Sequence, residues 1–334
     1  MKSLAIWYKP KKEDSNPQKV ELHINIWKLP SKKKEFERFI DIGIHLNNAK
    51  NIEELYVYYP SKIKRENVVD LGGKIDEILL DTLFNDNYNK TQQPQNDYCE
   101  ISNSSKEILF YIYKLKDENI EVSDFNNGTR IKIRLKGKIP NDKVYIRIRI
   151  DHDYSPIFSS IDKPSNSVLQ SAFSKTEIID FRVNEARELD SSLLETIEEG
   201  GTYSFQKIDH FFICSSREEY VFSHIPFDSA RQLERDRWND YIGKDQIKDE
   251  AILAYQWKVK EKDNEIIKHF NALVQTRYER NTITTIIKYI IILMILTVSF
   301  NLVSSYLYNK ILPMKHERVE SVLEKSKIEN NNNE

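Results

Sequence analysis

The chain has 334 residues, enough for one large domain or two modest ones, each able to bury a core. Its 50 Lys plus Arg stand against 52 Asp plus Glu, which excludes whole-protein attraction to nucleic acid or an anionic bilayer and makes any basic site local. Eight glycines and ten prolines exclude a linker-rich chain, and two cysteines, Cys99 and Cys214, exclude a disulfide framework and fit a reducing compartment.

The opening stretch, MKSLAIWY, meets Lys9 and a basic run before any long apolar segment forms, so no signal peptide is predicted and the bulk of the chain is expected in the cytosol. The first 150 residues then alternate with a period of two, which predicts half-buried strands. Val20, Leu22, Ile24 and Ile26 share one face, and Glu21, His23 and Asn25 the other. Similar runs occupy 37–46, 53–59, 107–115, 129–138 and 143–150. One helix interrupts them, with Ile75, Ile78, Leu79, Thr82 and Leu83 at helical spacing. The polar stretch 85–98 reads as a loop. So does 153–167, with Pro156 and Pro164, and it is the expected boundary between a β-rich lobe at 1–152 and a mixed α/β lobe at 168–243.

In that second lobe, strands are predicted at 177–184, 202–214 and 219–225, with a helix at 191–199 ended by Gly200-Gly201. Ser229 and Gln232 have the spacing of a capping box and predict a helix reaching Gly243. From Lys244 to Leu312 no glycine or proline occurs, and Ile247, Ala251, Ala254 and Tyr255, then Ile266, Phe270, Leu273 and Val274, follow helical spacing. The expectation is a helical stalk at 244–281, either one rod or two helices broken near 258–265.

Residues 289–308, YIIILMILTVSFNLVSSYLY, carry no charge. On a helix they extend roughly 30 Å, the thickness of a hydrocarbon core, which predicts a transmembrane helix within 282–310 and a short polar tail at 311–334. Lys268, Arg277, Arg280 and Lys288 precede the span, and Lys310, Lys315 and Arg318 follow it, so charge bias is nearly balanced. The missing signal peptide decides the expected topology: a single-pass protein of the inner or plasma membrane with its N-terminal domain cytosolic. Asn301, Ser304 and Ser305 lie close together around the helix and suggest a homo-oligomer through the span. The fold class is therefore α+β: a β-rich cytosolic domain of antiparallel strands with few helices, followed by a long helix and one transmembrane helix.

The most specific local pattern is at 129–150, where TRIKIRLKGK and KVYIRIRI flank Ile139-Pro140-Asn141-Asp142. Closed as an antiparallel hairpin, it pairs Arg134 with Arg147 and Lys132 with Arg149, and sets Lys136 opposite Tyr145. Like charges across a strand pair destabilise by a few tenths to about 1 kcal/mol each. Either acidic neighbours offset this, or a bound anion does. The ligand-binding candidates are thus Arg130, Lys132, Arg134, Lys136, Arg147 and Arg149, facing a nucleotide or another phosphate-bearing ligand. Asp151-His152-Asp153 reads as half a metal site whose alternation separates the imidazole from the carboxylates, so no metal is assigned. Arg182, Arg187, Arg231, Arg235 and Arg237 lie among acids and read as intramolecular ion pairs. No nucleophile elbow or phosphate-binding glycine loop is present, so no catalytic residue or cofactor is assigned.

The layout of the chain, and no specific residue, looks like that of membrane-acting effectors of bacterial anti-phage systems. That resemblance implies a sensor domain answering a nucleotide signal or partner, with the membrane helix as output. The expected function is a non-enzymatic membrane-anchored sensor or effector. A membrane scaffold recruiting a soluble partner, and a membrane-bound enzyme with an unrecognised site, are the alternatives.

Overall fold

A computed structural model describes residues 2–11, 17–84, 86–92, 95–135, 142–162, 174–262, 266–279 and 283–331. The period-two runs form strands: β1 (Ala5–Pro10), β2 (Gln18–Pro30), β3 (Phe36–Leu46), β4 (Ile52–Tyr59), β5 (Val68–Asp70), β6 (Asn89–Gln92), β7 (Tyr98–Ser102), β8 (Ile108–Tyr113), β9 (Ile120–Phe125), β10 (Gly128–Ile133) and β11 (Val144–Ile150). Then follow β12 (Ser159–Asp162), β13 (Ser174–Val183), β14 (Gly201–Ser215), β15 (Glu219–Ser223), β16 (Ser229–Leu233), β17 (Ile252–Lys260) and β18 (Phe270–Glu279). The helices are α1 (Glu77–Phe84), α2 (Ser155–Phe158), α3 (Ser191–Glu199), α4 (Arg235–Ile242) and α5 (Ile283–Asn331).

Fourteen strands make one sheet in the order β6-β7-β8-β11-β3-β2-β14-β1-β4-β10-β9, with β17 on β14, β16 on β17 and β5 on β11. A second sheet has the order β12-β13-β18-β15. The apolar face of β2 (Val20, Leu22, Ile24, Ile26) joins Ile40, Ile42 and Ile44 of β3 and Ile146, Ile148 and Ile150 of β11 in one buried cluster. Phe181 and Val183 of β13 and Phe270, Ala272 and Val274 of β18 belong to the same cluster, so this core lies between the two sheets. Each such side chain stabilises the fold by about 1.5–3 kcal/mol relative to exposure. The opposite face of the large sheet carries Trp27, Phe39, Tyr145 and Ile213, and α1 and α4 cover it with Leu79, Leu80, Trp238, Tyr241 and Ile242.

Several expectations are overturned. Residues 129–150 are not a hairpin: β10 lies between β4 and β9, whereas β11 pairs with β3, β5 and β8. The tight connection precedes β10, at Asn126-Asn127-Gly128, where Asn126 takes a positive φ of 47° and the chain turns back from β9. There are not two lobes at 1–152 and 168–243, because β14 lies inside the large sheet between β2 and β1. The helical stalk at 244–281 is replaced by β17 and β18. Phe270, Ala272 and Val274 alternate inward, and β17 pairs with β14 from Lys207–Lys260 through Ser215–Ile252, so sheet pairing overrides the i, i+4 spacing. Ser229 opens β16 rather than a helix; α4 begins six residues later and closes at Gly243, whose φ of 62° suits its lack of a Cβ. Part of the polar stretch 85–98 is the short strand β6.

The predicted helices at 75–83 and 191–199 are present as α1 and α3. The N-cap of α3 is Asp190, whose carboxylate accepts the Leu193 N–H at 2.9 Å.

The other body of the chain holds α5, a single helix of 49 residues in which the expected polar tail continues the helix as far as Asn331. Within it, Tyr289–Lys310 is a 22-residue segment of mean hydropathy 2.1 with none of it buried, long and apolar enough to cross a membrane.

Candidate functional site

The five predicted cations among the described residues separate into two places. On β10, Lys132 lies opposite Glu121 of β9, with its ammonium 2.6 Å from that carboxylate. Arg134 donates from Nε to Glu54 at 2.7 Å and reaches Glu121 at 3.3 Å. Burial raises the Glu54 carboxyl, but the Tyr56 hydroxyl and Arg134 outweigh it and hold the group below its usual range. Arg130 lies over the rings of Phe125 and Tyr56 at 5.2 and 5.9 Å. Acidic neighbours therefore offset Lys132 and Arg134, whereas Arg130 packs on aromatic rings. Lys136 lies outside the described residues.

Arg147 and Arg149 lie inside the protein, with 0% and 3% of their surface exposed. Strand register explains what surrounds them. Across β11, β3, β2 and β14, one row reads Arg147, Gly43, His23, Asp209, and the next reads Arg149, Asp41, Asn25, Phe211. All seven side chains and Gly43 share the face beneath α1 and α4. Arg149 makes two bonds to the Asp41 carboxylate, at 2.7 and 3.2 Å, and one to the Ile242 carbonyl at 2.7 Å. Asp41 also accepts from Trp27 Nε1 at 2.8 Å and from the Tyr241 hydroxyl at 2.9 Å.

Arg147 has no carboxylate in direct contact among the described residues. Its Nε donates to Tyr241 at 2.6 Å and its Nη1 to Tyr145 at 2.8 Å. With the Asn25 amide turned so that its oxygen faces the guanidinium, Nη2 donates to it at 2.9 Å. Gly43 makes room for this arrangement, since a Cβ there would sit 2.1 Å from the Tyr145 hydroxyl.

The network continues towards β14 and β17. The Tyr145 hydroxyl is 3.2 Å from His23 Nδ1, and Asp209 is bonded by Gln256 at 3.1 Å and paired with Lys207 at 2.5 Å. Lys258 stands opposite Asp209 on β17. Burial, with Arg147 and Lys207 beside it, drives the His23 imidazole well below its usual pKa. Burial, with Lys143 and Lys207, takes His45 down to about 4. Both rings are therefore neutral near pH 7, in a field already positive. Phe84, at the end of α1, closes over them with its ring 5.2 Å from His23 and 5.0 Å from Tyr145.

Beside this network a cleft opens between α1, α4 and β16. Asn25 forms its floor, and Leu83, Phe211, Ile213 and Leu233 its walls. Trp238 also lines it; that side chain is 2% exposed and its indole N–H has no hydrogen-bond partner. Arg231 stands in the lining and donates to the Thr82 carbonyl at 3.3 Å.

The expected ion pairs form for Arg182, with Asp180 at 2.6 Å and Glu188 at 2.8 Å, and for Arg187, with Glu185 at 2.9 Å. Arg231 and Arg235 instead bond to neutral oxygens: Thr82 for the first, Asn239 and the Glu250 carbonyl for the second. Asp151, His152 and Asp153 go to separate partners, namely Lys244, the Tyr59 hydroxyl and the Ser155 N–H.

A second buried charge cluster lies between the sheets. Lys28 pairs with Glu177 at 2.6 Å and with Glu218, Arg38 reaches Glu177 at 3.2 Å, and Thr276 donates to Glu218 at 2.5 Å. Its charges balance, and its partners come from β2, β3, β13 and β18, which makes it a joint between the sheets.

Asp41, Tyr145, Asn25, Tyr241 and Trp238 were not singled out from the sequence. Gly43, alone inside an otherwise bulky strand, was the available signal, because such a glycine marks close approach by another group. No protein-family model and no curated protein matches the chain.

Proposed function

We propose that this is a single-pass, membrane-anchored sensor or effector whose β-rich domain binds an anionic ligand on the face beneath α1 and α4. The observation that carries the anchoring is the Tyr289–Lys310 segment: 22 residues of mean hydropathy 2.1, none of them buried. Free in water, such a helix would leave an apolar surface far larger than soluble monomers tolerate. A bilayer removes it from water.

The ligand reading draws on Arg147, a fully buried cation whose direct partners are two phenol hydroxyls and an amide, with Lys207 and Lys258 adding positive potential nearby. An anion reaching this face meets a field already paid for in desolvation. The domain lies in the cytosol, and ligand occupancy is passed to the membrane by the anchored chain.

The test is thiol labelling of intact cells with a reagent that cannot cross membranes. Cys99 and Cys214 are buried, so Lys33→Cys and Glu324→Cys, both at exposed positions, supply the accessible thiols in separate variants. The expected result is labelling at 324 in intact cells and at 33 only after lysis. Labelling at 33 in intact cells would overturn the orientation.

A further inference from the structure

We infer that the apolar segment of α5 pairs with the same segment of a second copy of this chain, along a face centred on Asn301. This rests on the bilayer reading of Tyr289–Lys310 above and adds a partner to it.

Depth comes first. Asn301 stands thirteenth in that 22-residue segment, so on a helix it lies about 2 Å along the axis from the midpoint, where a bilayer holds no water. The hydroxyls of Thr297 and Ser299 are satisfied within the helix, donating to the Leu293 and Ile295 carbonyls at 2.8 Å each. Asn301 is exposed, and its side chain makes no hydrogen bond among the described residues. Its own helix cannot supply what it needs. An amide carries an oxygen as well as two N–H donors, and inside a helix every backbone N–H is already bonded to the carbonyl four residues back. The oxygen therefore requires a donor from outside the helix, and lipid has none.

The neighbouring residues make that donor a second copy. Met294, Thr297, Asn301, Ser304 and Tyr308 follow one another at steps of three, four, three and four, the spacing along which two helices wind left-handed about each other. Thr297 and Ser304, on either side of Asn301 in this seam, are small enough to let two backbones approach. Away from the seam, Ile292, Ile295 and Val303 suit lipid, and the Ser299 hydroxyl is already satisfied. An amide is its own complement, because it both donates and accepts. Copies inserted in one orientation hold Asn301 at one depth, so across a two-fold axis each amide donates to the other's oxygen. A single Asn at such a seam position fixes register and helix number in coiled coils. Pairing tethers two β-rich domains to one patch of membrane.

The test is oxidative cross-linking of the full-length chain in cell membranes, with one cysteine introduced into the span at a time. Cys99 and Cys214 are buried, and the parent chain serves as the blank. Met294→Cys and Thr297→Cys, on the seam, should give a product of twice the chain mass, and Ile292→Cys and Val303→Cys little of it. Adding Asn301→Leu to Met294→Cys should slow cross-linking about fivefold or more, whereas Asn301→Gln, which keeps the amide, should retain most of it. Leucine favours insertion, so the loss would not come from a span that fails to enter the bilayer. The purified Met294→Cys chain in phosphatidylcholine liposomes should cross-link as it does in cells. Equal rates on both faces, or a rate unmoved by Asn301→Leu, would overturn the pairing. A seam product of another mass, absent from the liposomes, would give Asn301 to a different protein's helix and overturn the second copy. Carbonate extraction of the same membranes keeps the two readings apart. A chain that stays in the pellet without cross-linking overturns the pairing alone, and a chain released to the supernatant overturns the bilayer reading with it.

Discussion

Gly43→Ala isolates the packing of the buried polar face in one methyl group. Gly43 has an ordinary strand backbone, so alanine brings no backbone penalty there, and by propensity alone the change stabilises by about 0.5–1 kcal/mol. Packing predicts the opposite sign. The new Cβ would lie 2.1 Å from the Tyr145 hydroxyl, 2.7 Å from its Cζ and 3.0 Å from Arg147 Nη1. Tyr145 is fully buried, with its ring 5.0 Å from Phe84 and 5.5 Å from His23, so it cannot swing aside freely. Overpacking costs about 1–3 kcal/mol. Displacing the hydroxyl also breaks its bonds to Arg147 and His23 and strands a buried guanidinium N–H, adding about 1–3 kcal/mol. The expected loss is about 4 kcal/mol, or a midpoint lowered by roughly 10 °C for a domain of this size. Thermal unfolding followed by tryptophan fluorescence measures it. In a Tyr145→Phe background the nearest clashing atom is gone, so the same glycine change should cost less there. An unchanged or raised midpoint for Gly43→Ala alone would refute the description of this face.

Three further outcomes are expected. Asp41→Asn removes the carboxylate that holds Arg149, Trp27 and Tyr241, and should destabilise by about 3–5 kcal/mol in urea titration. In the joint between the sheets, burial raises Glu177, but Lys28 and Arg38 overcome it and hold the carboxyl below its ordinary 4.5. Its stabilisation is therefore present above about pH 4.5 and lost as pH falls through the lower folded value, so Glu177→Gln should flatten the acid limb of the stability profile. Burial leaves Glu218 above its ordinary value, and Glu218→Gln should accordingly cost less than Glu177→Gln in the same titration. Burial lowers His45 from 6.5 to about 4, so its neutral form supports the fold above pH 6.5 and that support is lost between 6.5 and 4. His45→Gln should remove that slope, read as urea midpoint against pH.

The strands of the first 150 residues were legible because one face of each must be apolar, and Val20, Leu22, Ile24 and Ile26 do pack between the sheets. Pairing was not legible. The basic runs on either side of 134–143 look like a hairpin, yet Asn126-Asn127-Gly128 holds the stronger turn chemistry and joins β9 to β10 instead. The charges of β11 misled for a related reason. Every residue of that strand is buried, and its arginines are satisfied by Asp41 and Tyr241, about a hundred residues away on either side. Partners so distant leave no local pattern. The missed strands β17 and β18 show the limit of periodicity, since Ile252, Ala254, Tyr255 and Trp257 satisfy a helical spacing and a strand spacing alike. The apolar segment of α5 was legible from composition alone, because length and absence of charge are all it requires.

Membrane anchoring through Tyr289–Lys310 is the claim on which the proposed function rests. Alkaline carbonate extraction of cell membranes expressing the full-length chain tests this directly. The chain should stay in the membrane pellet and leave it only with detergent, whereas Leu293→Lys together with Leu296→Lys, at about 2.5–3.5 kcal/mol per buried charge, should shift it to the supernatant. A parent chain recovered in the carbonate-soluble fraction, without detergent, would contradict the account.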